Sequence, residues 1–383
     1  MRVIQINNSS ETFTATASGA IATHIWEVAR VVAQKGGECV VLSQDAPQPA
    51  LAGVPLVRVP VRSKTGAAWR QQLWRVERKL FGWREPGQRG YACEVVRALK
   101  RGGFEDDWIF LHNDPELAVH LRDVFPKARL LHHFHNPVAC HPRFRRRFAR
   151  AATLTTAVSG FVADEVERIY GCPRVEVILN GVDLERFKPV DGSLERRGDQ
   201  PVTLNFLGRT GIEKAPDLFL RAALGLARLG MPIRVQLMGA NHWGRWEPDA
   251  FQGELSRVCA QIVECGVDVF RTGHVVRADV PGHLANADVH VVPSRWDEPC
   301  ALSLLEGMAA GLAVVASRTG GTAELLDGAG RLFERDSESG LVAHLLELVS
   351  NREERLALAA KARRRAEHLS WSVCWGRFEN AMC

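Results

Sequence analysis

The chain has 383 residues, 46% of them hydrophobic and 24% charged, which suits two or three domains with cores of their own and excludes a disordered chain. The formal charge of +5 is unevenly spread: residues 1–190 carry 27 Lys and Arg against 19 Asp and Glu, and the remainder 22 against 25. A basic half of this kind suits a nucleotide, an anionic glycan or an acidic membrane face, or simply a solvated surface.

The N-terminus opens on the strand-like Val3-Ile4-Gln5-Ile6, without the charged, apolar and cleavage regions of a signal peptide. An amphipathic pattern follows from Ile21 to Gln34. Val40–Leu42, Trp108–Leu111, Arg129–His132, Leu154–Val158 and Val175–Ile178 read as strands in the first half. Val202–Leu207, Arg234–Met238, Val267–Phe270, Val289–Val292 and Ala313–Ala316 read so in the second, with helical patterns at Ala215–Leu229 and Leu341–Glu367. Strands alternating with helices predict parallel, doubly wound sheets, and two such series predict two Rossmann-like domains. The polar, turn-rich Lys188-Pro189-Val190-Asp191-Gly192-Ser193 marks the boundary between them. Neither half carries an intact Gly-x-Gly-x-x-Gly, which argues against a nicotinamide cofactor.

Nine Cys occur with no Cys-x-x-Cys pair, so reduced thiols are expected. No run reaches the ~18–20 apolar residues of a spanning helix. A cytoplasmic protein is therefore expected, with peripheral contact at the inner membrane face left open. That contact would run through segment 62–101, where Trp69, Trp74 and Trp83 interleave with Arg and Lys. His141-Pro142-Arg143-Phe144-Arg145-Arg146-Arg147-Phe148 is similar. The apolar residues of segment 62–101 form no clean stripe, so a solvated insertion explains it equally well. No recognition motif accompanies the charge, which argues against nucleic acid.

Glu298 and Glu306 stand eight residues apart in Asp297-Glu298-Pro299-Cys300-Ala301-Leu302-Ser303-Leu304-Leu305-Glu306-Gly307. Pro299 biases Glu298 toward extended backbone, and the run beyond it suits a packed helix. A helix N-terminus offers free N–H groups and a positive dipole end to a phosphate. A carboxylate farther into that helix can accept from ribose hydroxyls, and one on the preceding loop can reach a sugar. A buried helix with two capping acids is the plainer reading of the same segment. The His132, His133, His135 and His141 group also admits a metal reading, but no second Cys or His group of ligand spacing accompanies it; loop histidines explain His132 and His133.

The Glu298–Glu306 segment resembles the Glu-x7-Glu signature of retaining glycosyltransferases of family 4. Further motifs are similar to that family in the same order. They are Ser18-Gly19-Ala20 before the first helix; Val177 to Asp183 running into Phe187 and Pro189; Leu207-Gly208-Arg209 with Lys214; Ser317 to Gly321 with Glu324; and Ser370-Trp371. The resemblance covers nearly the whole chain. It implies the GT-B fold, an α/β architecture of two Rossmann-like doubly wound domains facing across a cleft. Residues 1–187 would form the acceptor-binding domain, with a C-terminal helix at 370–383 packing back on it. Residues 188–369 would bind the nucleotide sugar.

The resemblance also implies roles. Arg209 and Lys214 would stabilise the leaving diphosphate, Glu298 would hold the donor sugar, and His135 would stand at the transferring centre. Gly19, Val275, Val276, Cys300, Ala301, Leu302 and Glu306 would hold the rest of the donor. His112, Asn113 and Asn136 would lie on the acceptor side. Two departures stand out: Ala215 follows Lys214 where the family often has Gly, and Cys300-Ala301 replaces a frequent Phe-Gly. Without an Asp-x-Asp, no metal and no cofactor are expected. The partners implied are a nucleotide sugar, with UDP favoured over GDP-mannose, and an acceptor glycan, glycolipid or small metabolite. A sugar-nucleotide 2-epimerase and a non-catalytic sugar-nucleotide binder are the alternatives.

Overall fold

The computed structural model describes residues 1–15, 19–60, 82–83, 87–104, 107–172, 174–189, 200–241 and 249–383. Ser18, Trp69, Trp74, most of segment 62–101 and the run 190–199 lie outside the described residues. The chain forms two compact units, Met1–Asn180 with Trp371–Cys383, and Gly181–Ser370.

Unit 1 holds strands β1 (Arg2–Ile6), β2 (Glu38–Gln44), β3 (Leu56–Val59), β4 (Trp108–His112), β5 (Arg129–Phe134), β6 (Leu154–Ala157) and β7 (Glu176–Val177). They make one sheet of order β3-β2-β1-β4-β5-β6-β7, parallel throughout. The helices are α1 (Ala20–Gln34), α2 (Gln88–Gly102), α3 (Pro115–Val124), α4 (Pro142–Ala151), α5 (Gly160–Tyr170) and the C-terminal α13 (Trp371–Met382). The central strands are Val-, Ile- and Leu-rich because a parallel sheet is covered on both faces. Local chemistry sets the helix starts: Asp114 accepts from the Leu117 N–H with Pro115 in the first turn, and Ser159 accepts from the Val162 N–H. Helix α13 packs on α1 through Lys35–Glu379, and Trp375 and Phe378 meet Phe110 from β4.

Unit 2 holds β8 (Val202–Leu207), β9 (Ile233–Met238), β10 (Val269–Gly273), β11 (Val289–Val292), β12 (Ala313–Ser317) and β13 (Arg331–Phe333). Their order is β10-β9-β8-β11-β12-β13, again parallel. Its helices are α6 (Pro216–Arg228), α7 (Asp249–Glu264), α8 (Val280–Leu284), α9 (Leu302–Ala309), α10 (Thr322–Leu326), α11 (Glu338–Ser350) and α12 (Arg352–Glu367), with a 3-10 turn at Ile212–Lys214. In both sheets the order reverses once, between β1 and β4 and between β8 and β11. The crevice beyond the carboxyl ends of such strands is where doubly wound folds bind ligands.

Several expectations change. The Leu341–Glu367 pattern is two helices, because the Asn351 side chain caps the second by accepting from the Glu354 N–H. The unit boundary falls at Asn180/Gly181 rather than at 187/188. The reason is that Val182 pairs with Ser370, and the Phe187 carbonyl accepts from Arg363 of α12. His132 and His133 are not loop residues but buried residues of β5. Trp83 is not displayed on a surface: it is buried and its ring packs against Phe144 of α4. On α4 itself Phe144 and Phe148 point inward, leaving Arg143, Arg145, Arg146 and Arg150 exposed. Among the described residues no helix is long and apolar enough to cross a membrane.

His290 of β11 is fully buried beneath α9, where Gly307 leaves room for its ring: a Cβ there would come within 2.5 Å of it. Burial pushes the imidazole down to about 4. A histidine with a depressed folded-state pKa binds fewer protons folded than unfolded. Its contribution is intact above about pH 6.5 and is lost as pH falls toward 4. The wild-type chain should therefore lose about 2 kcal/mol more than His290→Gln between pH 7 and pH 5, by denaturant titration. Parallel pH profiles for the two proteins would show that His290 is not the group responsible.

Candidate active site

The carboxyl end of β8 runs into Gly208-Arg209 and then the 3-10 turn that ends at Lys214. Gly239, just past β9, lets this segment lie close: its φ is +134°, and a Cβ would fall 1.8 Å from the Gly208 carbonyl oxygen. Ala215 follows Lys214 at φ +51°. That left-handed backbone costs a non-glycine residue ~1 kcal/mol, and it is where the family often places Gly. Strain of this kind is held where surrounding contacts over-determine the backbone.

The neighbouring strand β11 ends at Val292, and its loop carries Ser294, Asp297 and Glu298 into α9. Lys214 Nζ lies 2.6 Å from Glu298 Oε1, and the Ser294 hydroxyl donates to the same oxygen. Glu298 is only 3% exposed, so this buried carboxylate meets one cation and one hydroxyl. Farther along α9, Glu306 is also buried and pairs with Arg277 at 2.9 Å. Among the described residues no side chain caps the N-terminus of α9 at Ala301, so its first N–H groups are open to a ligand. Cys300 is buried beside it. Arg209 is half-exposed and pairs with Glu213 at 2.8 Å. Val275 and Val276 lie in the loop after β10, with Val276 46% exposed.

A strut that the sequence did not reveal joins the two loops. Arg295 donates from Nη1 and Nη2 to both carboxylate oxygens of Asp217, each at 2.7 Å, and from Nη1 to the Ile212 carbonyl. Its backbone N–H donates to the Glu213 carbonyl. Burial alone would raise the Asp217 carboxyl. The hydrogen bonds and charges of Arg295 and Arg221 outweigh it and hold Asp217 below the usual range. The Asp217 bond in turn raises the Arg295 guanidinium. Arg295 thus fixes the loop bearing Ser294 and Glu298 against the turn bearing Lys214. Lysine keeps the charge and loses the fork. Arg295→Lys should cost about 2 kcal/mol of stability and lower turnover more than it raises the donor KM. Unchanged turnover would remove Arg295 from this role.

In unit 1, Asn113 takes φ +52° at the end of β4, and its Oδ1 accepts from the His135 and Asn136 N–H groups at 2.7 and 3.2 Å. His112 is fully buried at the end of β4. Its Nε2 meets Gln5 Oε1 at 2.7 Å, and its Nδ1 meets His135 Nε2 at 2.9 Å. Gly19 serves a neighbour in its own unit: a Cβ there would fall 1.8 Å from Glu11 Oε1. Glu11 accepts from the backbone N–H groups at the start of α1, but burial dominates and pushes its carboxyl up to about 7.

Comparisons with known proteins identify the family. The family model for glycosyltransferase family 4 matches residues 21–186, and that for glycosyl transferases group 1 matches residues 191–365. A lipopolysaccharide 1,2-N-acetylglucosaminetransferase from Salmonella typhimurium is 26% identical over 290 residues, 73% of each chain. A D-inositol 3-phosphate glycosyltransferase from Kineococcus radiotolerans is 33% identical over 233 residues, 55% of this chain and 52% of that one. The match thus spans about half the length of that relative. Among solved structures, a sucrose-phosphate synthase from Thermosynechococcus elongatus superposes with a TM-score of 0.74 at 17% identity, covering 99% and 98% of the two chains. Anabaena HepE in complex with UDP and glucose gives 0.71 at 17% identity, covering 99% and 98%. Two family models that together account for both units, on the fold these structures share, make the chain a GT-B glycosyltransferase of family 4.

Proposed function

We propose that this glycosyltransferase is a retaining enzyme. It moves a sugar from a nucleotide diphosphate, with a UDP-sugar favoured and GDP-mannose next, to a hydroxyl of a glycan, glycolipid or small metabolite. The observation that carries the reading is the convergence of Lys214, Ser294 and Glu298 at the β8/β11 switch point, beside the uncapped end of α9. A cation and free N–H groups suit a departing diphosphate, and a buried carboxylate suits sugar hydroxyls.

In this reading Lys214 and Arg209 neutralise the charge that grows on the leaving phosphate. They stand in for a metal ion, so transfer proceeds with chelator present. Glu306 accepts from the ribose hydroxyls, and the backbone around Val275 and Val276 holds the base. The described residues offer no obvious nucleophile for a covalent intermediate. The reading is therefore same-face attack, with the departing phosphate taking the acceptor proton. The UDP preference comes with the family resemblance, and Anabaena HepE, which shares the fold, forms a complex with UDP and glucose. The lipopolysaccharide and inositol phosphate relatives favour a hydroxyl acceptor on a larger glycan or a phosphorylated polyol.

A screen of UDP-, GDP-, ADP- and dTDP-sugars by thermal shift and slow donor hydrolysis, with chelator present, tests this. Stabilisation by one nucleotide, with release of one sugar in the anomeric form of the donor, is the expected result. Stabilisation that requires a divalent ion, or release with inversion, overturns the mechanism. Conversion of UDP-N-acetylglucosamine to its 2-epimer without an acceptor would favour an isomerase.

A further inference from the structure

Unit 1 buries a set of imidazoles, and the role that the family resemblance gives His135 at the transferring centre does not account for its buried contacts with His24 and His112. His24 of α1, His112 of β4 and His135 just beyond β5 each offer a nitrogen, and these atoms lie within 4.8 Å of one another. All three side chains are buried. The rings of His24 and His135 stand 4.8 Å apart edge to face, and those of His112 and His135 are 5.2 Å apart.

Outer contacts orient these rings. His24 Nδ1 meets Asn180 Oδ1 at 2.9 Å, so the proton sits on Nδ1 and the lone pair on Nε2. That Nε2 is buried with no hydrogen-bond partner among the described residues. Such an orphaned group in a folded core calls for an explanation. His112 Nε2 meets Gln5 Oε1 at 2.7 Å, which places its proton on Nε2 and leaves Nδ1 as the lone pair. Metal-ligating histidines are oriented in this way, with the second ring nitrogen donating to an oxygen that fixes the tautomer.

We propose that His24, His112 and His135 form a binding site for a zinc-class divalent cation, which ties α1 to the carboxyl ends of β4 and β5. Tetrahedral ligation at ~2.0–2.1 Å places nitrogen donors roughly 3.3 Å apart. The His112–His135 pair, 2.9 Å apart across one proton, needs only to open slightly, and His24 to close in. On binding, the ion takes the place of that shared proton, and His135 carries its own on Nδ1. The chemistry of the donor set, three neutral nitrogens without a carboxylate, selects zinc, cobalt or nickel over magnesium or calcium. The proposal goes beyond the transfer reading and does not rest on it, because the ion needs no donor or acceptor to bind.

The test uses the full chain, stripped with chelator and titrated with Co2+. Ligand-field absorption saturating at about one ion per chain is expected, with zinc displacing cobalt and a rise in Tm of several degrees. His24→Gln and His112→Gln should each lose the absorption while keeping the far-UV signature of the fold. X-ray absorption on the cobalt-loaded wild type, which needs no variant, should show about three imidazole nitrogens in the first shell. No absorption and no change in Tm, a signal that survives His24→Gln, or a shell of oxygens only would each overturn the site.

Discussion

Replacing Lys214 by Ala is expected to lower kcat/KM by two to three powers of ten, about 3–4 kcal/mol of transition-state stabilisation. The reason is where the charge sits. Its ammonium is held 2.6 Å from a carboxylate that is almost wholly buried, and Ser294 donates to the same oxygen. The cation is therefore already oriented, and little reorganisation is needed when charge develops on a leaving group. Removing it also leaves Glu298 with the Ser294 hydroxyl but no cation, so a loss of stability should accompany the loss of rate. The two effects separate in a double-mutant cycle. Glu298→Gln removes the stranded charge and should restore stability to Lys214→Ala without restoring turnover. Near-normal kcat/KM in Lys214→Ala would refute the assignment. Arg209, half-exposed and paired with Glu213, should show a smaller stability cost for the same class of kinetic defect.

Gly320→Ala should be strongly damaging although it removes no functional group. Gly320 sits at φ +46° in the turn between β12 and α10. A Cβ there would lie 2.4 Å from the Glu298 carbonyl oxygen and 2.8 Å from its backbone nitrogen. The next residue, Gly321, donates its N–H to that same carbonyl at 2.7 Å. The turn is thus built against the backbone of the residue whose side chain meets Lys214. A methyl group has no flexible neighbour to displace, so either the turn or the Glu298 loop must move. About 3 kcal/mol of stability should be lost, and donor affinity should fall tenfold or more. A variant that melts with the wild type and binds nucleotide sugar normally would show the two loops to be independent.

Much of the strand inventory was legible because parallel strands covered on both faces must be rich in Val, Ile and Leu. β3 and β13 were missed: Leu56–Val59 and Arg331–Phe333 are too short for any period to show. The Leu341–Glu367 pattern hid a break because Asn351 is ordinary in a helical pattern until its side chain is seen capping the next helix. Glu298, Glu306 and Lys214 were legible as motif residues, but their partners Ser294 and Arg277 were not. Nothing local marks a serine as the donor to a carboxylate four residues on. The only hint was its place, just past a strand end.

The sequence by itself determined the class of fold, the two α/β series, and the carboxylates and cations that carry the family resemblance. These are local properties, written in periodicity and in spacing along one segment. Only the tertiary structure decided which groups meet. Lys214 and Glu298 are 84 residues apart, Arg295 and Asp217 78, His24 and Asn180 156, and His112 and Gln5 107. Three of these pairs form because a parallel sheet sets the ends of non-consecutive strands side by side at its switch point, whatever their separation in sequence, whereas His24–Asn180 joins α1 to the segment that follows the edge strand β7. The same rule turned histidines that read as loop residues into a buried cluster. β5 runs between β4 and β6 in a parallel sheet covered on both faces, so its side chains enter the core.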